Sequence, residues 1–240
     1  LVLRGLVDSI APVALAYYSH CSRNGLSLRE PYLKALACLS AVALPAFACL
    51  AVMAEPAILL LYGNQWVEVA TPLRIACISA AAITLANVAG AVIVGSGRAG
   101  TNLALHAVFQ PVKIALVSLA VTQLLNLALI GWLKHAGLAL SIGLAACLNA
   151  GLLYRGLRRS GIYQPQAGWL GFYLRLGVAL AAMGAALWFA SGPDAYWLTT
   201  GLGQRVLHLS ALVGLGGAVY FATLWLCGFR LRDFRRQAAT

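Results

Sequence analysis

The sequence predicts an all-α membrane protein, a polytopic transmembrane helix bundle of about seven segments. Hydrophobic residues make up 62% of the chain, charged residues make up 10%, and the mean hydropathy is +0.85. A soluble domain carries about 25% charged residues, whereas a helix needs about 20 consecutive apolar residues to cross a bilayer. Long apolar runs with short polar breaks therefore predict membrane-spanning helices, which pair their own backbone groups.

Seven apolar segments follow one another along the chain. They cover about 1–19, 33–53, 73–95, 101–130, 136–154, 169–190 and 205–228. The chain starts inside the first segment without a Met, so we expect the C-terminal part of a longer protein. Pro45 predicts a kink or split in the second segment. In the long fourth segment we predict a break near Gln110–Pro111 and a true span from about 112 to 130.

Small residues recur every four positions in the fifth segment and predict close helix packing. Such residues let helix backbones approach each other in lipid, where no hydrophobic force drives helices together. One stripe consists of Gly137, Ser141, Ala145 and Asn149, and another of Ala139, Gly143, Cys147 and Gly151. The last segment carries a similar face, made of Gly214, Gly217 and Ala218.

The net charge of +11 is explained by the side of the membrane on which the basic residues fall. Basic residues close to spans stay in the cytoplasm. One side holds Arg23, Arg29, Lys34, Arg98, Lys113, Arg155, Arg158, Arg159, Arg175, Arg230, Arg232, Arg235 and Arg236, and the other holds Arg74, Lys134 and Arg205. This asymmetry predicts a cytoplasmic C-terminus, and it argues against nucleic-acid binding as the explanation of the charge. Lys134 and His135 are predicted to form an outer turn.

Few polar side chains lie at membrane depth, and such residues are usually functional. Arg4 and Asp8 are four apart and either pair beside a polar cavity or are solvated at the interface. Gln123 and Asn126 share a helical face, and Asn149 lies on the next helix. These three either hydrogen-bond across helices or face a polar lumen. The sequence contains no acid–base pair, metal-ligand spacing or phosphate loop. It therefore predicts neither an enzyme nor a metal or cofactor site.

The second half of the chain resembles the lipid II flippases of the MurJ/MviN type. The resemblance covers about 111–240 and rests on PVKIA (111–115), LKHAGLALSIGLAACLNA (133–150) and YQPQAGW (163–169), followed by GFRLRDFRR (228–236). Residues 1–110 look more like polysaccharide or O-antigen flippases of the same superfamily, on LLYGNQWVEVATPLRIACIS (60–79) and GSGR (95–98). This difference leaves open that the chain is a chimera of two related sequences, joined near residue 110.

The resemblance implies the C-terminal part of a fourteen-helix transporter of the multidrug/oligosaccharidyl-lipid/polysaccharide exporter (MOP) superfamily. Residues 1–154 would form lobe helices of the transport core, and residues 155–240 a basic loop, two extra helices and a basic tail. Such a protein moves undecaprenyl-pyrophosphate-linked peptidoglycan precursor across the bacterial inner membrane by alternating access. Its implied partners are this polyprenyl-linked glycan lipid, membrane lipids and an N-terminal lobe.

The two extra helices, 169–190 and 205–228, are expected to form a groove for the lipid tail. The groove candidates are Arg175, Gly177, Ala181, Gly214 and Gly217. The cargo pathway candidates are Arg4, Asp8, Gln123, Asn126 and Asn149. Two alternatives remain at this point: a flippase for polysaccharide or O-antigen repeat units, and a truncated membrane fragment that does not transport.

Overall fold

Helices make up the regular structure of the part of the chain that the computed structural model describes, and no strand occurs there. The described residues are 17, 18, 20, 21, 24, 29–95, 101–159, 169–192 and 194–228. In chain order the elements are α1 (Arg29–Val52), α2 (Ala54–Leu61), a 3-10 helix (Asn64–Val69), α3 (Ala70–Gly95), α4 (Thr101–Arg159), α5 (Trp169–Ala190), α6 (Asp194–Thr199) and α7 (Leu202–Leu226). Most of the first predicted segment and the basic tail lie outside these residues.

Five stretches of the described chain are long and apolar enough to cross a membrane. They are Glu30–Val52, Asn64–Leu85, Ala115–Arg155, Gly171–Ala190 and Leu202–Leu226. The third is 41 residues long, about twice what one crossing needs, and it corresponds to two of the predicted segments. The all-α prediction is therefore confirmed, and each predicted segment after the first has a helical counterpart.

The chain reverses direction inside α4 at Lys134. This residue has φ 48° and ψ −125°, whereas the residues on both sides are helical. A Cβ placed on Gly137 would lie 2.6 Å from the carbonyl oxygen of Leu129. In a straight helix residues eight apart are about 12 Å apart along the axis. The two arms of α4, residues 101–133 and 135–159, therefore fold back on each other, and the predicted turn at Lys134 is confirmed.

The predicted break near Gln110–Pro111 is wrong, because α4 is helical from Thr101 up to the turn. A proline removes one backbone hydrogen bond, and membrane helices tolerate that loss when other groups compensate. The first arm is longer than the bilayer core is thick. Its 33 helical residues measure about 50 Å, against about 30 Å of hydrocarbon. Of the kink or split predicted at Pro45, the split does not occur, because α1 continues through Pro45 to Val52.

Helix α1 lies between two groups of helices. It packs on α3 on one side, and α3 packs on α4. It also contacts α5 and α7, which pair with each other. The buried cluster on that second side joins α5 and α7 to the end of α1 and to the short helices α2 and α6. Its members are Met53, Leu59, Leu176, Ala179, Met183, Leu187, Trp197, Leu212, Tyr220 and Leu224.

Small residues bring the second arm of α4 close to α3, so the close packing predicted for this arm is confirmed. The face predicted for α7 does not pack in this way. Gly143 meets the side-chain oxygen of Ser79 so closely that a Cβ there would clash. Gly137, Ser141 and Ala145 are buried, whereas the later part of the second stripe, Cys147 and Gly151, is exposed.

In α7 the predicted packing face is wrong. The close approach is made by Gly216, where a Cβ would lie 3.2 Å from the side chain of Leu187. A Cβ at Gly214 or Gly217 would meet no atom within 4 Å. Spacing alone identified small residues in α7, but the glycine that packs on α5 is Gly216, one residue from Gly217 and two from Gly214.

Candidate functional site

Polar side chains four residues apart follow one face of the first arm of α4. They are Ser118, Thr122 and Asn126, each half-buried. The Thr122 hydroxyl donates a hydrogen bond of 2.7 Å to the carbonyl oxygen of Ser118. The hydroxyl oxygen of Ser118 and the side-chain carbonyl oxygen of Asn126 are buried without a hydrogen-bond partner in the described part of the chain. These two groups can therefore accept hydrogen bonds from water or from a polar molecule.

The other two pathway candidates of the described chain differ from Asn126 in their surroundings. Gln123 is exposed, next to the polar face. Asn149 is half-buried in the second arm of α4. Asn126 precedes Lys134 by eight residues and Asn149 follows it by fifteen, so the two side chains differ in depth by about 10 Å. The structure therefore does not bring Asn126 and Asn149 into a mutual hydrogen bond.

Arg4 and Asp8 lie outside the described residues, so their assignment to the pathway stays a prediction. The sequence analysis had singled out the amide side chains of α4 but not Ser118 and Thr122, which lie on the same face as Asn126. Their four-residue spacing from Asn126 was a visible signal, because residues four apart lie on the same face of a helix. Together with Asn126 they extend the polar face over two helical turns.

The five groove candidates lie on the surface of α5 and α7. Arg175, Gly177, Ala181 and Gly214 are exposed, and Gly217 is half-buried. Because no atom lies within 4 Å of a Cβ built at Gly177, that glycine also leaves open space beside its helix. The small residues thus form shallow surfaces that an acyl or prenyl chain could contact. A Cβ at Gly177, Gly214 or Gly217 would meet no atom of the described chain within 4 Å.

The connection between α5 and α7 is fixed by a dense set of polar and aromatic contacts. Trp197 is 1% exposed and donates its indole N–H to the carbonyl oxygen of Ser191 at 3.1 Å. Trp197 therefore belongs to the buried core of this connection. The ring of His208 lies 5.2 Å from that of Trp197. Arg205 donates to the carbonyl oxygens of Leu198 and Thr200, both at 2.8 Å.

An ion pair fastens α2 to the start of α3. The Arg74 guanidinium donates to the Glu55 carboxylate at 3.0 Å, and the two side chains are 40% and 28% exposed. The sequence analysis had placed Arg74 on the outer side without pairing it with a carboxylate. Among the described residues no group of three or more His, Cys, Asp or Glu side chains could hold a metal ion.

Comparison with known proteins identifies one family. A family model described as "Lipid II flippase MurJ" matches residues 6–206 and crosses the position near residue 110 where the resemblance had changed. A Burkholderia cenocepacia protein named lipid II flippase MurJ is 46% identical over 129 residues, which are 53% of this chain and 25% of that protein.

Two further relatives, both named probable lipid II flippase MurJ, match in the same way. The Vibrio cholerae protein is 38% identical over 125 residues, which are 52% of this chain and 24% of that protein. The Haemophilus influenzae protein is 36% identical over 120 residues, which are 50% of this chain and 23% of that protein. The aligned segment therefore spans about a quarter of the length of these relatives.

Proposed function

Because the chain belongs to the lipid II flippase MurJ family and is a multi-pass membrane protein, we propose that it forms part of a transporter that moves lipid II across the membrane. The observation that carries this proposal is the family match over residues 6–206, which includes α1 to α6 and the start of α7. The cargo would be the undecaprenyl-pyrophosphate-linked peptidoglycan precursor, a polyprenyl-linked glycan lipid. No covalent step is part of the mechanism.

The cargo has two parts with opposite solvent requirements, and the described helices offer a surface for each. A pyrophosphate and a glycan need polar partners and water when they cross the apolar core, because an unpaired polar group there costs several kcal/mol. A prenyl chain is apolar and partitions into the lipid of the bilayer core. Alternating access would expose a polar interior to one side of the membrane at a time, while the prenyl chain stays in lipid along the outside.

We assign the polar part of this pathway to Gln123, Asn126 and Asn149, together with Arg4 and Asp8. The buried and unpaired oxygens of Ser118 and Asn126 support this assignment for the first arm of α4. A polar atom that lacks a protein partner needs a water molecule or a ligand group. The N-terminal lobe expected from the length of the relatives would supply the opposite wall.

We assign the lipid-tail groove to the exposed surfaces of α5 and α7. Gly177, Gly214 and Gly217 leave open space beside the two helices, and Ala181 adds a fourth small side chain. Arg175 is exposed in the first turns of α5 and would approach an anionic headgroup. Residues 155–240 would then form the extra helix pair beside a core that includes residues 1–154.

We further propose that the protein lies in the bacterial inner membrane with a cytoplasmic C-terminus. The asymmetric distribution of Lys and Arg supports this orientation. A fluorescent reporter that folds only in the cytoplasm, fused after Thr240, should fluoresce. A periplasmic phosphatase reporter at the same position should be inactive, and the reverse result would overturn the orientation.

Complementation of a conditional strain tests the transport proposal. The complete parent gene would be expressed in bacteria depleted of their own lipid II flippase, and surviving cells would be counted. Rescue is expected, with membrane insertion verified by fractionation and immunoblotting. If a well-expressed, inserted protein fails to rescue, lipid II is not its cargo, and export of another polyprenyl-linked glycan should be measured next.

A further inference from the structure

Pro45 leaves a gap in the backbone hydrogen bonds of α1. In an α-helix the N–H of residue 45 would donate to the carbonyl oxygen of Ala41. Proline has no N–H, so it cannot make this bond, although α1 stays helical through the site. In the bilayer core no water is at hand to replace the missing donor. The Ala41 carbonyl therefore needs a donor from elsewhere in the fold.

Tyr220 of α7 supplies that donor. Its hydroxyl donates a hydrogen bond of 2.8 Å to the Ala41 carbonyl oxygen, across 179 positions of sequence. The Tyr220 side chain is 1% exposed, within the cluster that joins α5 and α7 to α1. The hydrogen bond lost to Pro45 in one helix is thus replaced by the side chain of another.

A second tyrosine contacts α1 at the adjacent residue. The side chain of Tyr173 in α5 interacts with that of Ser40 in α1. Ser40 is fully buried, and its hydroxyl also donates to the carbonyl oxygen of Leu36 at 2.6 Å. Each helix of the C-terminal pair therefore places one tyrosine on α1 within about two turns of Pro45.

We propose that the helix pair α5 and α7 acts as a brace on a proline hinge in α1, with Tyr220 as the residue that holds the hinge. Helices kink readily at proline, where one backbone bond is missing. Helix α1 also packs on α3, and α3 packs on α4. Bending at Pro45 would therefore move the C-terminal pair relative to the first arm of α4, which carries Asn126. The part that concerns transport rests on the proposed flippase function.

The brace makes a prediction that a simple packing role does not make: the effect of Tyr220→Phe should depend on Pro45. In Pro45→Ala the new N–H can bond to the Ala41 carbonyl, so the Tyr220 hydroxyl is no longer needed. Hydrogen exchange of the α1 backbone amides near the hinge, residues 46–49, would be measured by mass spectrometry on the detergent-purified parent protein. Tyr62→Phe, which removes the same hydroxyl from an exposed tyrosine outside α1, is the control.

We expect Tyr220→Phe to speed exchange at 46–49 about three- to tenfold, as the loss of one net hydrogen bond implies. In the Pro45→Ala background the same substitution should change exchange less than about twofold, and Tyr62→Phe should change it in neither background. Equal effects of Tyr220→Phe in both backgrounds, or none in either, would overturn the brace.

The transport part is tested in the complementation strain. Tyr220→Phe should reduce rescue in the native background, and Pro45→Ala should suppress that reduction. If rescue is unchanged while exchange responds as expected, Tyr220 does not act on transport. If the unmutated parent gene does not rescue at all, the flippase function fails, and the exchange measurements still decide whether the brace exists.

Discussion

Substituting Gly137 by Ala should open the hairpin of α4. A Cβ on this residue would lie 2.6 Å from the Leu129 carbonyl oxygen and 3.0 Å from its carbon, and both are backbone atoms. Ordinary van der Waals contact begins at 3.4 Å, so the two arms would have to separate by about 0.8 Å. Backbone atoms cannot rotate away as the end of a side chain can, so the whole arm must shift.

The size of the effect follows from two opposing contributions. Overpacking a close contact costs about 1–3 kcal/mol, whereas replacing Gly by Ala in a helix gains about 1 kcal/mol. Gly151, in the same arm, separates the two contributions, because a Cβ there meets no atom within 4 Å. Gly151→Ala receives only the gain in helix propensity. The free energy of unfolding should therefore be about 1–3 kcal/mol lower for Gly137→Ala than for Gly151→Ala.

Thermal unfolding of the two variants in the detergent-purified parent protein measures this difference. For chains of 150–250 residues, 1 kcal/mol corresponds to about 2–4 °C in the midpoint, and to less for longer chains. Gly137→Ala should melt at or below the unmutated protein, and Gly151→Ala above it. Equal midpoints for the two variants would show that the arms do not approach each other closely at Gly137.

Three further substitutions test other features. Lys134 has a positive φ that glycine adopts without strain, so Lys134→Gly should stabilise the protein by about 1 kcal/mol, and Lys134→Ala, which keeps the Cβ, should not. Asn126→Leu removes a buried unpaired oxygen, so thermal stability should be kept or raised while complementation falls; retained complementation would remove Asn126 from the pathway. Arg74→Gln breaks a partly exposed ion pair and should cost less than about 1 kcal/mol, so a fall in the melting midpoint of more than about 4 °C would contradict this.

Hydropathy predicted the spans well because it depends only on neighbouring residues. Whether some 20 consecutive side chains prefer lipid to water is decided within the segment. The turn at Lys134 was visible for the same reason, since a polar pair interrupts two apolar runs. The prediction at Pro111 failed because helix continuity at a proline depends on which other groups compensate for the lost bond, and those groups are not neighbours in sequence.

Contacts between distant residues were beyond the reach of sequence patterns. The Tyr220 hydroxyl and the Ala41 carbonyl are 179 positions apart, and neither residue type signals the other. In α7 the spacing of small residues offered several faces, and only the packing on Leu187 distinguishes Gly216 from Gly214 and Gly217. The pathway candidates were identified by polarity at depth, but their depths relative to one another depended on the position of the turn.

The tight reversal at Lys134 also has a consequence for how the protein enters the membrane. A turn with a single non-helical residue leaves no loop that could wait on one side while the second arm is made. The two arms are therefore expected to enter the bilayer as one helical pair, with Lys134 at their tip. A lysine at the centre of a membrane helix costs about 2.5–3.5 kcal/mol, and each apolar residue of the arms offsets about 0.3–0.6 kcal/mol of it. We therefore expect this region to insert as a helical pair, and truncating the chain inside the second arm should impair insertion of the first arm.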